Sequence, residues 1–245
     1  MTQPPRFLTA EWRALVMLNY VVDPAILAPR VPVGVTLDTW QGQTLVSMVG
    51  FRFLRTRLMG APVPFHTDFD EVNLRFYVRR DTPTEARRGV VFVKEIVPLP
   101  ALAWVARAVY NENYVALPMR HTVTLPAAAA DRGRVAYEWR LNDRWNHLAA
   151  EVEGEPSPLA PGSEAEFITE HYWGYARQRD GTSLEYGVEH PRWNVWRATA
   201  AELDADVTTL YGPEFAAYLA AAPTSAFVAD GSPVIVRRGM PLRLP

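Results

Sequence analysis

A dense group of polar side chains occupies residues 64–79 (PFHTDFDEVNLRFYVR). Strand alternation places Glu71, Asn73 and Arg75 on one side of this segment, as a shared pocket would require. In a pocket, Arg75 can hold an anionic ligand through two hydrogen bonds, and Glu71 can act as a general acid or base. His66 is a further candidate ligand contact. The same pattern also fits a hydrated sheet face with cross-strand ion pairs, so both interpretations stay open at this point.

The second candidate is a junction at 106–121 (ARAVYNENYVALPMRH), where a predicted helix ends and an extended run begins at Tyr114. A helix-to-strand junction rich in Tyr, Asn and Glu suits the mouth of a pocket. The candidate ligand contacts in it are Arg107, Tyr110, Asn113 and His121. The alternative is a well-packed junction whose amides cap the helix.

A third region, 167–196, is unusually aromatic. It contains two histidines, His171 and His190, and the aromatic residues Tyr172, Trp173, Tyr175, Tyr186, Trp193 and Trp196. Aromatic side chains at this density bury a large area. They can form core packing, a face between copies of the chain, or a wall on which a ligand stacks.

Other kinds of site lack a signal in the sequence. The absence of cysteine excludes disulfides, thiolate metal sites and a cysteine nucleophile. The motifs GxGxxG, GxxxxGK[ST], HExxH and GxSxG are absent, and the five histidines include no pair at i, i+4. We therefore expect neither a metal ion nor an organic cofactor.

The bulk properties are those of an ordinary globular protein. Of the 245 residues 49% are hydrophobic and 21% are charged, and the formal net charge is −2. This charge gives no electrostatic footprint for nucleic acid, and no run of 18 apolar residues or signal-peptide core is present. We expect a single cytoplasmic domain spanning 1–245, with no nucleic-acid or membrane partner.

The elements that must position the candidates are mainly strands. The segments 44–53, 73–79 and 90–97 read as strands, and the last is apolar on both faces, which favours a central position. Residues 101–110 read as a helix, and Asp23 is placed to cap a short helix that begins at Pro24.

The pattern is again β after His121. Strands are predicted at 122–125, 135–141 and 145–152, a helix at 213–221, and a closing hairpin around Asp230-Gly231 within 227–236. The segments 175–179 and 184–190 flank Asp180-Gly181, which suits a type I′ hairpin turn. Strands outnumber helices without a βαβ rhythm, so the fold class is mainly β (α+β).

Several segments together resemble the YqjF-like family of uncharacterised bacterial proteins. They are FLTAEWRALVMLNYVVDP, LVSMVGFRF, HTDFDEVNLRFYV, ARAVYNENYVALPM, FITEHYWGY and EHPRW. The family is similar to the acetoacetate decarboxylase-like superfamily. The resemblance implies a β-barrel or sandwich assembly with a few short helices and an internal cavity.

The resemblance also implies changed chemistry. In the decarboxylase, the stretch Gly-Arg-Glu-x-x-Gly-Phe-Pro-Lys-Lys delivers a Schiff-base lysine. On this chain its arginine falls on Arg107, its proline on Asn113, its reactive lysine on Tyr114 and its second lysine on Val115. Because a phenol cannot form a Schiff base, amine-dependent decarboxylation should be lost. Glu71 is similarly placed to an acidic residue of the decarboxylase cavity.

Lys94 is the only lysine in the chain. In a regular strand it would share a face with Val90, Phe92 and Ile96, where apolar surroundings would lower its pKa toward the neutral amine. The alternative is a lysine that extends along the surface to solvent.

Two functional hypotheses follow. In the first, the cavity binds a small anionic or carbonyl-containing molecule, and Glu71 with Tyr114 handles protons in acid–base chemistry on an oxo or hydroxy acid. Asn73, Arg75 and Arg107 would then contact the ligand. In the second, the protein is a non-catalytic ligand-binding or homo-oligomeric assembly protein. Convergence of Glu71, Arg107 and Tyr114 in a closed cavity would favour the first.

Overall fold

The computed structural model describes residues 3–62, 66–101, 103–104 and 111–242. The chain is mostly β. The strands before residue 117 are β1 (Arg6–Val21), β2 (Thr36–Leu37), β3 (Leu45–Leu58), β4 (Ala61–Pro62), β5 (Phe69–Asp81), β6 (Ala86–Val97) and β7 (Tyr114–Ala116). The later strands are β8 (Met119–Thr124), β9 (Arg132–Leu141), β10 (Arg144–Glu153), β11 (Ser157–Pro158), β12 (Trp173–Arg177), β13 (Ser183–Glu189), β14 (Asn194–Arg197), β15 (Ala200–Asp204), β16 (Ser225–Arg237) and β17 (Met240–Pro241).

Helices are short. They are α1 (Glu164–Thr169), α2 (Val207–Tyr211) and α3 (Pro213–Leu219), with 3₁₀ turns at Pro24–Ile26 and Ala28–Arg30. Residues 100, 101, 103 and 104 are also helical, while 102 and 105–110 of the predicted helix lie outside the described residues. Asp23 caps the first turn, as predicted, because its side chain accepts a hydrogen bond from the Ala25 backbone N–H at 2.8 Å.

Most strands join one large sheet in the order β11-β14-β16-β1-β3-β5-β6-β12-β13-β17. Strand β13 also pairs with β16, so the pairing forms a ring of β16, β1, β3, β5, β6, β12 and β13. The hairpin of β12 and β13 closes this ring. Among the described residues, β12 forms two residue pairs with β6, and β13 forms two residue pairs with β16.

A smaller sheet of β15, β10, β9 and β8 covers the outer face of the ring. Between the two sheets lies an apolar core in which Leu74 and Phe76 of β5 belong to the same cluster as Tyr137 and Trp139 of β9. Inside the ring lies a second cluster, which includes Phe51 of β3. The strands of the ring are therefore buried on both faces, which fits their apolar sequences.

The alternation of the early strands is confirmed. Leu45, Val49, Phe51 and Phe53 of β3 belong to the inner cluster. On β5, Leu74, Phe76 and Val78 belong to the outer core. The predicted strands at 122–125, 135–141 and 145–152 are present as β8, β9 and β10, and the helix at 213–221 is present as α3. The long strand β1 was not predicted.

The expected hairpin at Asp230-Gly231 is wrong, because β16 runs continuously through it and pairs with β1. Gly231 has a φ of +84°, and a Cβ there would lie 2.0 Å from the carbonyl oxygen of Trp12. The glycine therefore serves a close approach between two strands, where a side chain would not fit.

The predicted hairpin of β12 and β13 is present, but its turn is not type I′. The Gln178 backbone N–H donates to the Thr182 carbonyl at 2.7 Å, which encloses a three-residue loop. Gly181 has a φ of +84°, whereas Asp180 does not take the positive φ that type I′ requires. The loop is the three-residue kind with glycine in the left-handed region.

Candidate functional site

A pocket of about 270 Å³ lies inside the ring. Its wall is largely apolar and contains Trp12, Phe51, Phe53, Phe92, Trp173 and Trp193. Its carboxyl, amide, guanidinium and phenol groups come from β5, β6, β7, β13 and the residues just before β7, and three histidines, His66, His171 and His190, line it as well. A mainly apolar pocket with a few convergent polar groups is the usual form of a small-molecule site.

Glu71 enters the pocket from β5, and it is 2% exposed. Asn73 Nδ2 donates to its Oε1 at 2.9 Å, and the Tyr114 hydroxyl donates to its Oε2 at 3.2 Å. Burial raises the pKa of Glu71 to about 7, against the lowering effects of Asn73, Tyr114 and Arg75. The carboxyl therefore exchanges its proton near neutral pH, as a general acid or base requires.

Glu95 reaches the pocket because β6 contains a β-bulge. Leu74 pairs with Lys94, but Arg75 pairs with Phe92, so Val93 is an extra residue in the ladder. Phe92 and Glu95 consequently both line the pocket, although their spacing in a regular strand would place them on opposite faces. The expectation that Lys94 shares a face with Val90 and Phe92 is wrong for the same reason, whereas Ile96, two residues further in regular register, does lie on the face of Lys94. Lys94 is not a lining residue of the pocket.

Glu112, in the segment before β7, is the third carboxyl of the pocket, and the Tyr186 hydroxyl donates to its Oε1 at 3.1 Å. Burial raises the pKa of Glu112 to about 8. Tyr186 pairs with Gly174 on β12, where a Cβ would lie 2.1 Å from the tyrosine Cζ. The glycine therefore makes the room that the Tyr186 ring occupies.

Glu71, Glu95 and Glu112 form one electrostatic cluster, here called the carboxyl cluster. Burial is the main cause that raises the pKa of Glu95 well above its usual value, and the charges of Glu112 and Glu71 raise it further. Burial and the same carboxylates also raise the pKa of Tyr114 well above the usual phenol value. Within the described residues no Lys, Arg or His forms an ion pair with these three glutamates. The raised pKa values favour the protonated form of these carboxyls.

Arg75 is the cation nearest to this cluster on β5, and it lies two residues from Asn73 on the same face. Its guanidinium donates to the Ile168 carbonyl at 3.4 Å and lies 5.7 Å from the centre of the Tyr77 ring. No carboxylate in the described ranges forms an ion pair with it. Arg75 therefore has capacity to bind an anion.

Two further histidines line the pocket. His171 donates a hydrogen bond from Nε2 to Asp38 Oδ2 at 3.3 Å, because the ionised carboxylate can only accept, and Arg88 donates to the same oxygen at 2.7 Å. Burial lowers the pKa of His171 to about 4, so the imidazole is neutral at physiological pH. His190 stacks on Trp193 with ring centres 4.2 Å apart.

Several pocket residues carry buried polar atoms that have no hydrogen-bond partner in the part of the chain that the structure describes. They are Trp12 Nε1, Asn73 Oδ1, Arg75 Nε, Glu95 Oε2 and His171 Nδ1. Unsatisfied buried polar groups are rare in folded proteins and cost about 1–3 kcal/mol each. Their concentration around one pocket is expected where a ligand supplies the missing partners.

The structure brings five of the sequence-predicted residues to the pocket: His66, Glu71, Asn73, Arg75 and Tyr114. Asn113 instead donates from Nδ2 to the Val93 carbonyl at 2.8 Å, beside the bulge. His121 lies on β8 and contacts Asp70 at 2.8 Å. Asp70 precedes Glu71, so its side chain leaves the opposite face of β5. Arg107 and Tyr110 lie outside the described residues.

Sequence reasoning missed Glu95, Glu112 and Tyr186 as site residues. A charged residue inside the apolar run VVFVKEIV was a usable signal for Glu95, but the run contains both Lys94 and Glu95. Only the bulge decides which of the two enters the pocket. Glu112 and Tyr186 come together through the hairpin of β12 and β13, and their local sequences do not indicate this contact.

Neither a metal site nor a membrane span is found in the described residues. No group of three or more His, Asp or Glu side chains there has the arrangement of a metal-binding site. Likewise, none of the helices described is both long enough and apolar enough to cross a membrane.

Comparison of the sequence with protein families gives a match to the model of DUF2071, described as an uncharacterised conserved protein, over residues 9–233. The chain belongs to the DUF2071 family. It is also similar to the uncharacterised protein YqjF of Bacillus subtilis, with 25% identity over 206 residues that cover 81% of this chain and 78% of YqjF. The family resemblance noted in the sequence is confirmed.

Comparison of the fold gives solved structures related to acetoacetate decarboxylase. The enduracididine biosynthesis enzyme MppR complexed with pyruvate superposes with a TM-score of 0.67 at 14% identity, covering 99% of this chain and 92% of that one. Acetoacetate decarboxylase from Legionella pneumophila gives 0.65 at 13% identity, covering 99% and 90%. An acetoacetate decarboxylase-like enzyme from Sphingomonas wittichii gives 0.67 at 12% identity, covering 98% and 95%. The DUF2071 chain therefore has the acetoacetate decarboxylase-like fold.

Proposed function

We propose that the ring of strands is a barrel around a ligand cavity, and that this DUF2071 protein is an enzyme acting on a small oxo or hydroxy acid. Its chemistry is acid–base catalysis without a Schiff-base lysine. The observation that carries the proposal is the hydrogen bond of 3.2 Å between the Tyr114 hydroxyl and buried Glu71 inside an apolar pocket.

Glu71 is the proton-transfer group in this proposal. With a pKa of about 7, its carboxylate is populated at neutral pH and is basic enough to remove a proton from a carbon beside a carbonyl. Such a reaction develops negative charge on the carbonyl oxygen. Tyr114 keeps its proton because burial raises its pKa, and its hydroxyl can shift its hydrogen bond from Glu71 to that oxygen.

Arg75 is the anchor for the acid group of the substrate. Its guanidinium has donors in a planar fork that matches a carboxylate, and its Nε has no partner among the residues described. Along β5, Arg75 and Glu71 are four residues apart on one face, roughly 13 Å between Cα atoms. Side chains that converge from both ends leave a gap that suits a small molecule.

The fold neighbours support the class of substrate and not its identity. One neighbour is named for a complex with pyruvate, and another for the decarboxylation of acetoacetate, and both compounds are oxo acids. The tyrosine at the position that resembles the decarboxylase lysine argues for proton transfer in place of a covalent step.

Hydrogen–deuterium exchange at C3 of 2-oxobutyrate, followed by ¹H NMR in D₂O, tests the proposal without knowledge of the product. The wild-type protein should accelerate the exchange, and Glu71→Gln should slow it by about 100-fold or more, since the amide cannot accept the proton. Glu153→Gln, on an exposed part of β10, is the matched control and should exchange as the wild type does.

Exchange at the same rate in Glu71→Gln and wild type would overturn the acid–base role. Binding of 2-oxobutyrate by the wild type without any acceleration would favour the second hypothesis, a non-catalytic ligand-binding protein.

A further inference from the structure

The carboxyl cluster has more acidic groups than the proposed chemistry uses. Glu71, Glu95 and Glu112 are 2%, 2% and 8% exposed, and all three line the pocket. Glu71 is held by Asn73 and Tyr114, and Glu112 is held by Tyr186. One general base, Glu71, and one phenol donor, Tyr114, need a single carboxyl, so Glu95 and Glu112 require a separate explanation.

Two acceptor atoms of the cluster region have no donor. Glu95 Oε2 and Asn73 Oδ1 are both buried without a hydrogen-bond partner among the described residues. Both belong to side chains that are 2% exposed or less, and both side chains line the pocket. They are adjacent, because Asn73 pairs with Glu95 across β5 and β6. The pocket thus presents acceptors where a ligand must present donors.

No cation of the described residues forms an ion pair with the carboxyl cluster. Buried carboxylates are normally paired with a cation, because an unpaired buried charge is costly. In the described residues none of the three glutamates has such a partner, and Arg75 lies on the other side of Asn73 along β5. Protons neutralise these carboxyls, and a ligand with a positive charge could replace the protons.

We propose that the ligand of this pocket carries a protonated amine, which the carboxyl cluster of Glu71, Glu95 and Glu112 binds. An ammonium group supplies up to three donors, enough for Glu95 Oε2, Asn73 Oδ1 and one further carboxylate oxygen. The faces of Tyr114, Tyr186 and Phe92 line the same pocket and favour a cation. This inference uses the pocket of the proposed function and adds the amine to the substrate class.

Binding of an ammonium group should release protons. The ionisable groups around the cluster are Glu71 and Arg75 on β5, Glu95 on β6, Glu112 and Tyr114 before and on β7, Tyr186 on β13, and the lining histidines His66, His171 and His190. An arriving cation stabilises the carboxylate form, so carboxyl protons leave for the solvent. The phenols of Tyr114 and Tyr186 keep their protons at neutral pH, because burial raises the pKa of each.

Isothermal titration calorimetry with n-butylamine and its neutral analogue butan-1-ol tests the inference at pH 8. Both probes are small enough for the pocket, and neither depends on Arg75. The wild-type protein should bind butylamine roughly tenfold to a hundredfold more tightly than butanol, as expected for charge-assisted hydrogen bonds. The amine should release protons, seen as a heat that differs between phosphate and Tris buffers.

Variants of the carboxyl cluster test whether these glutamates cause the preference for butylamine over butanol. Glu95→Gln should abolish most of the preference for the amine, and the control Glu153→Gln should retain it. Glu112→Gln is a second variant in case Glu95→Gln does not fold. Equal affinity of the wild type for the two probes would overturn the inference, and so would tight amine binding that Glu95→Gln and Glu112→Gln leave unchanged.

The two proposals fail separately. Amine preference with no exchange of 2-oxobutyrate would overturn the acid–base function and retain the amine site. Exchange that depends on Glu71, together with equal binding of amine and alcohol, would retain the function and overturn the amine site.

Discussion

The two faces of β5 are equally buried but differ in what they bury. On the outer face, Leu74 and Phe76 are 0% exposed and pack against the second sheet. On the inner face, Glu71 and Asn73 are 2% and 1% exposed, and they border the pocket. Burial alone therefore does not separate core from site. The difference is hydrogen bonding, because Asn73 Oδ1 has no partner among the described residues, whereas Leu74 and Phe76 have no polar side-chain atom to satisfy.

The difference also predicts opposite contributions to stability. The outer face stabilises the fold by removing apolar area from water. The inner face contributes Glu71 to the carboxyl cluster, whose three members repel one another once ionised, and this repulsion lowers the free energy of unfolding at high pH. Functional sites commonly carry such a cost, and mutations that remove it stabilise the protein.

The largest expected effect is at the outer face. Leu74→Ala should lower the free energy of unfolding by about 2–5 kcal/mol, because it leaves a cavity between two packed sheets. Urea denaturation monitored by circular dichroism measures it. Val33→Ala, at a side chain 49% exposed, is the control and should change stability by less than about 0.5 kcal/mol. A loss under 1 kcal/mol for Leu74→Ala would show that this face is not tightly packed.

The next effect is a pH dependence that comes from the inner face. The pKa values of Glu71 and Glu112 are about 7 and about 8, above the usual 4.5, so between pH 6.5 and 8.5 the folded state binds more protons than the unfolded state. The free energy of unfolding should therefore fall over this range, by roughly 2 kcal/mol. His171, with a pKa of about 4 in the folded state, affects stability mainly below this range.

Glu112→Gln gives the matched comparison for this pH effect. The stability gain of the variant over the wild type should be larger at pH 8.5 than at pH 6.5 by more than half of the wild-type fall, because Glu112 in the folded state loses most of its proton in this range and the unfolded state has already lost it. Thermal unfolding at the two pH values measures both. A wild-type stability that rises between pH 6.5 and 8.5 would contradict the raised pKa values of the cluster.

The smallest effect is expected at His121, which lies away from the pocket. His121→Ala removes a partly exposed contact with Asp70, and Arg52 remains 3.8 Å from that carboxylate. The free energy of unfolding should change by less than about 1 kcal/mol, and butylamine should bind as it does to the wild type. A tenfold loss of butylamine affinity would place His121 in the site after all.

Regular alternation made the two faces of β3 and β5 predictable, because a strand has a period of two that the sequence displays directly. The bulge in β6 was not predictable in this way, since Val93 gives no local sign that it is an extra residue. Asp230-Gly231 and Asp180-Gly181 have the same sequence but lie in a strand and in a turn. Pairing with β1, which is distant in the sequence, keeps Asp230-Gly231 in a strand, and the local sequence does not indicate this pairing.

The pairs that hold the β12–β13 hairpin in the ring bear on how a ligand enters. Among the described residues, β1 and β3 share eleven paired residues, whereas this hairpin has two pairs with β6 and two with β16. Local unfolding of the hairpin therefore breaks fewer inter-strand hydrogen bonds than opening the ring at β1 and β3. The hairpin carries Trp173 and Tyr186, which line the pocket. Local unfolding of the hairpin would therefore expose the pocket to solvent on the side of Glu112. Among the described strands of the ring, the hairpin is therefore a wall of the pocket that few inter-strand pairs hold in place, with Arg80 and Arg87 adding ion pairs to its Glu185.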